Sequence, residues 1–397
     1  MSITDSHLLR YAKQTTGLDQ NVTSGLLNLC TEGTPEIVGG LTQGKNDRNL
    51  VCGDMQSTVR VNGAKGSAIS FTTEAYGCYT AGASGVAAVS AESLKPLFEA
   101  LFGAAESVAT GDTVSGASAL ELTVAGSNLA DNDYCLVAGA DSGDWQARQI
   151  VSGGGTTTPD IDRALTNSGS TEDPATGIVY GGVTYALDTT NADHDTLMFD
   201  FEGDTTRHRV RGVTLGTLTI TIPSDGGKVT CAWAGEGNDF DADQALASPS
   251  FSAENDGSPI VALDSPVWIG ATEYAVRDLV VTITLRQTRR TTQLGINGYH
   301  GHGTVGADVT VSGGLYLGSD TYEAAKAFKE TLNTSLSTQD LLIQVGRDAG
   351  AAMCIHIPAC DFTATQTSFD GLDGLQIEGM ATRTSDGGSQ PVRVTFF

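Results

Sequence analysis

Two stretches of this chain carry residue types at spacings that could do chemistry. His300 and His302 flank one glycine in "YHGHGTVG". An H-x-H pair can give zinc two ligands, but a catalytic site needs three and a structural site four, and no further ligand stands nearby. The same stretch, Gly301 to Gly306, fits G-x-G-x-x-G. A dinucleotide site needs a strand before that fingerprint and a helix after it, whereas here a strand-like run follows. In "DFDAD", Asp239, Asp241 and Asp243 take the first, third and fifth positions of a calcium loop. Gln244 then stands where the loop needs glycine, and Ser250 where it needs a closing glutamate.

No phosphate-binding loop, G-x-S-x-G elbow or H-E-x-x-H motif occurs. The six histidines are scattered. Carboxylates are so frequent that pairing any two for glycoside hydrolysis is arbitrary. The expectation is therefore a protein that is not an enzyme, with no cofactor and no metal site. The sharpest charge cluster is "LRQTRRTT", with Arg286, Arg289 and Arg290. Such a cluster is either a solvated strand edge that blocks unwanted pairing or an attachment point for an acidic neighbour, for instance another copy of this chain. The acidity of the chain favours the second reading.

That acidity is pronounced: 22 basic against 47 acidic residues give a formal net charge of -25. Tight nucleic-acid binding needs a basic surface and is not expected. The charge itself reads as a generic acidic surface or as adaptation to a saline habitat. The 49 glycines, few aromatics and recurrent Ser and Thr are the composition of an all-β protein rich in turns. Seven cysteines without a CxxC, several in apolar strand contexts, read as buried free thiols made in a reducing cytosol. The opening "MSITDSHLLRYAKQTTG" lacks a signal-peptide pattern. No apolar run approaches the roughly 18 residues of a membrane span. We expect synthesis in the cytoplasm and no membrane partner.

The elements follow from periodicity. Residues 1–48 are polar and rich in turn formers, and read as an extended arm. From 49 to 76 a strand pattern alternates. In "TVRVNGAKGSAISFTTEAYG" one parity holds Val59, Val61, Ile69 and Phe71, and the other holds Arg60, Ser70, Thr72 and Glu74. An amphipathic helix follows in 93–108, with Leu94, Leu97, Phe98, Leu101 and Phe102 on one face. Residues 113–190 change texture into short strands between turns, with ten acidic and two basic residues, and read as an inserted small β module displayed outward. Strands return from 197. The candidate strand Arg277–Arg290 lies in what reads as the longest strand candidate of the chain. Then the opening pattern recurs: Val305, Ala307, Val309, Val311, Leu315 and Leu317 share one parity opposite Thr304, Asp308, Thr310 and Ser312, and a helix pattern covers 321–332. The expected architecture is mainly β. Two tandem β-sandwich or barrel folds, each with a flanking helix, take 49–112 with 191–266 and then 267–397.

In this order and texture the chain resembles the tail tube proteins of long-tailed bacteriophages. The segments that carry the resemblance are "LLRYAKQTTG", "DRNLVCGDMQSTVRVNGAKGSAISFTTEAYG", "HRVRGVTLGTLTITIPSDGGKVTCAWAGEG", "RDLVVTITLRQ" and "INGYHGHGTVGADVTVSGGLYL". The resemblance implies a structural virion protein that stacks as rings into a hollow tail tube for DNA ejection. A chain with two folds implies a homotrimeric, pseudo-sixfold ring. Implied partners are further copies of itself and tape measure, terminator and distal tail proteins, with double-stranded DNA in transient passage. Implied localisation is the virion tail, assembled in the host cytoplasm. The inserted module departs from the minimal pattern.

A tube subunit must turn one strand face to an aqueous bore, which accounts for the wet parity of the opening strand. Arg60, Glu74 and Asp308 are the candidates for that face, and its carboxylates repel phosphates. A bore of about 40 Å clears a duplex of about 20 Å and has a circumference of about 125 Å, or about two dozen strands at 4.8 Å each. Arg277–Arg290 would reach roughly 45 Å. Arg286, Arg289 and Arg290, at its end, are the candidates for contact between rings. The competing expectation is a virion or cell-surface β protein whose 113–190 module binds a host glycan or receptor.

Overall fold

Alternation with period two runs through most of the chain, and strands are what it forms. A computed structural model describes residues 8–15, 22, 26–39, 45–47, 60–62, 66–77, 94–104, 107–117, 120–138, 145–165, 177–189, 194–202, 207–244, 258–263, 265–289, 302–316, 338–347, 349–382 and 390–397. The fold is mainly β, as the composition requires. A large antiparallel sheet system is joined by a separate six-stranded sheet and a two-stranded ladder.

The large system contains one ladder twice. In the first, neighbours run Ser67–Glu74, Thr230–Gly237, Arg207–Ile222, Thr196–Glu202, Leu8–Gln14. In the second they run His302–Tyr316, Leu372–Ala381, Met353–Phe369, Gln339–Val345, Val267–Ile269. The long third strand changes partner midway in both. Arg207–Ile222 passes from Asp239–Gln244 to Thr230–Gly237, and Met353–Phe369 passes from Arg393–Phe396 to Leu372–Ala381. Strand Val276–Arg289 joins the two ladders, pairing with Arg207–Ile222 on one edge and His302–Tyr316 on the other.

The described helix, Lys95–Phe102, begins with proline in its first turn and ends at Gly103, whose φ of 72° makes the left-handed cap a β-carbon would resist. Its residues Leu97, Phe98, Leu101 and Phe102 are buried, as their spacing predicts. Phe98 meets Trp233 edge-on at 5.1 Å and stacks on Tyr185 at 5.0 Å, while Phe71 stacks on Trp233. The Trp233 indole N–H, fully enclosed, donates to the Thr73 hydroxyl at 3.0 Å. The helix pattern at 321–332 lies outside the described residues.

Several expectations are corrected. The N-terminal segment is not merely an extended arm: Leu8–Gln14 is a ladder strand, with Leu9 and Tyr11 fully buried and Arg10 ion-paired to Glu202. Its alternation is only a few residues long and is masked in the sequence by the turn formers after it. The opening strand is divided. Arg60–Asn62 pairs with Lys45–Asp47 in the separate two-stranded ladder, and only Ser67–Glu74 enters the main sheet. Val305 is 71% exposed although its parity is apolar, because a register shift between Arg286 and Gln287 leaves it opposite no partner. Of the cysteines, Cys135, Cys231, Cys354 and Cys360 are buried free thiols and Cys30 is exposed. Cys52 and Cys78 lie outside the described residues.

The stretch read as an outward module does form its own sheet, from Asp112–Ala117 to Gly177–Gly181. It is not simply displayed outward. In Tyr134–Ala138, Cys135 and Val137 face a core of the module's own, with Val114, Leu122, Ile150 and Val179. The alternate residues Tyr134 and Leu136 pack with Ala147 on Trp268, Leu342, Cys354 and Phe397 of the second ladder. Gln344 acts there as a short strand, accepting the Ala147 N–H and donating to the Trp145 carbonyl, each at 2.7 Å. Arg148, enclosed over the Trp268 ring at 5.0 Å, has its pKa pushed down to about 10 by burial and stays charged at neutral pH. His356 links the Tyr134 hydroxyl to Asp340, which also takes Arg163. Replacing 112–181 by a Gly/Ser linker is therefore expected to expose the Trp268 and Phe397 face and cause aggregation on expression. A soluble shortened chain that melts at the full-length temperature would contradict this.

Candidate functional site

Pairing in unbroken order connects eight strands: Glu36–Gly39, Ser67–Glu74, Thr230–Gly237, Arg207–Ile222, Val276–Arg289, His302–Tyr316, Leu372–Ala381 and Met353–Phe369. Their registers lock side chains into rows across the sheet. Ser70, Ala234, Thr217, Thr284 and Asp308 make one row. Thr72, Ala232, Thr219, Thr282, Thr310, Met380 and Asp361 make the next. Glu74, Thr230, Thr221, Val280, Ser312, Glu378 and Thr363 make a third. Between these rows the opposite parity points into the core. Phe71, Trp233, Leu218, Ile283 and Val309 line up there, and all are buried.

The face of the sheet away from the core is thus small, hydroxyl-rich and acidic over its full width. It is hollowed in two places. One concavity of about 560 Å3 lies between Glu36, Ser70, Thr217, Glu236 and Gln287. The other, of about 450 Å3, lies between Thr282, Thr310, Asp361, Thr363 and Glu378. Such a surface holds water and repels anions.

Both edges of this sheet are open among the described residues. Glu36–Gly39 pairs only with Ser67–Glu74. Beyond Cys360, Met353–Phe369 pairs only with Leu372–Ala381. In the first ladder the corresponding edge, Thr217–Ile222, is filled by Val276–Arg289.

The residues singled out from sequence fall in different places. Glu74 and Asp308 lie on the polar face, Glu74 bonded to Lys228 and Asp308 2.9 Å from Arg286. Arg60 belongs to the separate two-stranded ladder. Arg286 is on the polar face with a partner in its own chain. Arg289 ends its strand opposite His302, with its side chain outside the described residues, as are Arg290 and His300. His302 lies 3.2 Å from the Thr214 hydroxyl. Asp239 and Asp241, of the calcium-like stretch, share the Arg211 guanidinium. The side chain of Asp243 is outside the described residues. Sequence reasoning missed the two open edges, and it missed that the threonines of "TLTITI" and "VVTIT" are cross-strand neighbours.

Side chains on the two faces carry different burdens. Ile283→Ala is expected to cost about 2–5 kcal/mol, and Thr282→Ala, next in the chain, about 1 kcal/mol or less. Denaturant midpoints at unchanged slope check this, and equal losses would contradict the assignment of faces.

A family model described as phage tail tube protein matches residues 4–396. No curated protein matches the chain.

Proposed function

The chain belongs to the phage tail tube protein family, and from that premise we propose that three copies close edge to edge into a ring whose polar face lines a bore for DNA. The family makes it a structural component of the virion tail. The observation that carries the finer reading is the eight-strand sheet with two open edges. Those edges stand in the same relation as the two strands that join the ladders inside one chain. The edge beyond Cys360 corresponds to Thr217–Ile222, and Glu36–Gly39, which pairs with Ser67–Glu74, corresponds to Val276–Arg289, which pairs with His302–Tyr316. A neighbour repeating the internal junction satisfies both rows of backbone groups. Three chains then supply two dozen strands, with a circumference of about 115 Å and a diameter of about 37 Å at 4.8 Å per strand. That width admits a duplex of about 20 Å.

Rings of this kind stack into a tube. One end of strand Val276–Arg289 carries Arg289, followed by Arg290. The other end carries Asp278, with Asp370 bonded there to Arg277 and Ser224 to Asp278. Head-to-tail stacking sets a basic rim against an acidic one. Tape measure, terminator and distal tail proteins are the expected neighbours at the tube's ends and within it. In the glycan-binding alternative the module's aromatic residues would stack on sugar rings. Tyr134, Trp145 and Tyr180 are instead held in the contact with the second ladder, which favours the tube.

Proline tests the ring joint. Adjacent residues of a strand aim their N–H groups at opposite edges, so one of Thr365→Pro and Gln366→Pro removes a donor from the open edge alone. That variant is expected to fold and to fail to form rings in negative-stain images. If both variants fold and still form tubes, this edge is not the joint. For stacking, Arg289→Glu is expected to leave rings but abolish sedimenting tubes, and tubes pelleting as for the wild type would remove Arg289 from the joint.

A further inference from the structure

Cations and carboxylates are arranged unequally on the polar face. Among the described side chains there, Arg286 lies against Asp308 and Lys228 against Glu74. At the rim, Arg277 lies between Asp278 and Asp370. Among the described residues, Asp361 and Glu378, in the same rows, have no cation beside them in that hollow. Arg286 and Asp308 are both well exposed, at 62% and 41% of their side-chain surface, so burial does not force them together. Gly306 stands opposite Arg286 in the register. The guanidinium lies across it, 3.7 Å from where a β-carbon would be, which directs the arginine along the sheet toward Asp308 and away from the open face.

We propose that Arg286–Asp308 and Lys228–Glu74 are masking pairs, in which each carboxylate occupies the cation that a DNA phosphate would otherwise take. The proposal rests on the reading that this face lines the bore. The physical conflict it resolves is specific. An acidic sheet gains from cations, because like charges facing one another across strands destabilise it. A free cation on a surface past which a polyanion slides is a binding site, since every phosphate it neutralises releases counterions. Pairing within the face satisfies both demands.

The test uses the full-length chain below the concentration at which tubes form, and a labelled duplex of about 20 base pairs, followed by fluorescence anisotropy across a salt series. Each freed cation adds about 0.9 to the slope of log affinity against log salt. Asp308→Asn and Glu74→Gln should each acquire salt-dependent binding, and the double variant should gain a slope of about 2. Glu121→Gln, exposed on the module, removes the same charge without unmasking a cation and should bind as the wild type does. Arg286→Gln added to Asp308→Asn should return binding to the wild-type level. A thermal melt on each variant guards against misfolding, and the two pairs test the idea independently. The proposal is overturned if the double variant binds no better than Glu121→Gln, or if Arg286→Gln fails to reverse Asp308→Asn. Because the assay uses unassembled chains, it reads masking whatever face a tube turns inward. A bore formed by a different face would defeat the ring reading and leave this result standing.

Discussion

The pairing of Val276–Arg289 with strands on both sides is the interaction on which the rest of the structure depends. It hydrogen-bonds to Arg207–Ile222 on one edge and to His302–Tyr316 on the other, converting two similar ladders into one continuous sheet. A side-chain period of two means that a slip of one residue at this strand would turn Ile283 outward and Thr282 inward along its whole length. Register is pinned there by the buried row through Phe71, Trp233, Leu218, Ile283 and Val309. With that register fixed, the small polar face becomes continuous and the two open edges follow from the repeat.

Duplication explains why the edges are open among the described residues and why the module is not a free appendage. A repeated ladder with an internal junction leaves one unfilled copy of that junction at each end, which a neighbour can complete. The six-stranded module emerges from the chain between the helix and Val183–Ala186, yet it docks on the second ladder. Strand Arg393–Phe396 pairs with Val183–Ala186 and with Met353–Phe369, so the C-terminal segment ties the first half to the second at the same place. Buried polar groups there are satisfied across the contact by Gln344 and Arg163, which makes the contact specific as well as apolar.

Much of the fold was legible in the sequence because its signals are local. Period-two runs located Ser67–Glu74 and most of His302–Tyr316, and the spacing of Leu97, Phe98 and Leu101 located the helix. The stretch whose texture changes, 113–190, holds most of the separate six-stranded sheet but also Val183–Ala186, which pairs in the large system. What local pattern could not carry was register between distant segments: nothing around Thr72 says that Ala232 and then Thr219 lie beside it. The docked face of the module did leave a signal. Tyr134, Cys135, Leu136 and Val137 are apolar on both parities, the mark of a strand covered on both sides. The pairing of Arg286 with Asp308 on the neighbouring strand is likewise a contact that only the register creates. The N-terminal strand was missed because a short run of alternating residues is a weak signal beside the turn formers that follow it.

Reconstruction of the assembled tube by electron cryo-microscopy tests the central claim most directly. The account predicts rings of three chains, a continuous barrel of two dozen strands, Thr282, Thr310 and Glu378 facing the bore, and the segment after Cys360 paired with Glu36–Gly39 of the next chain. Six chains per ring, or a bore lined by another face of the molecule, would contradict it.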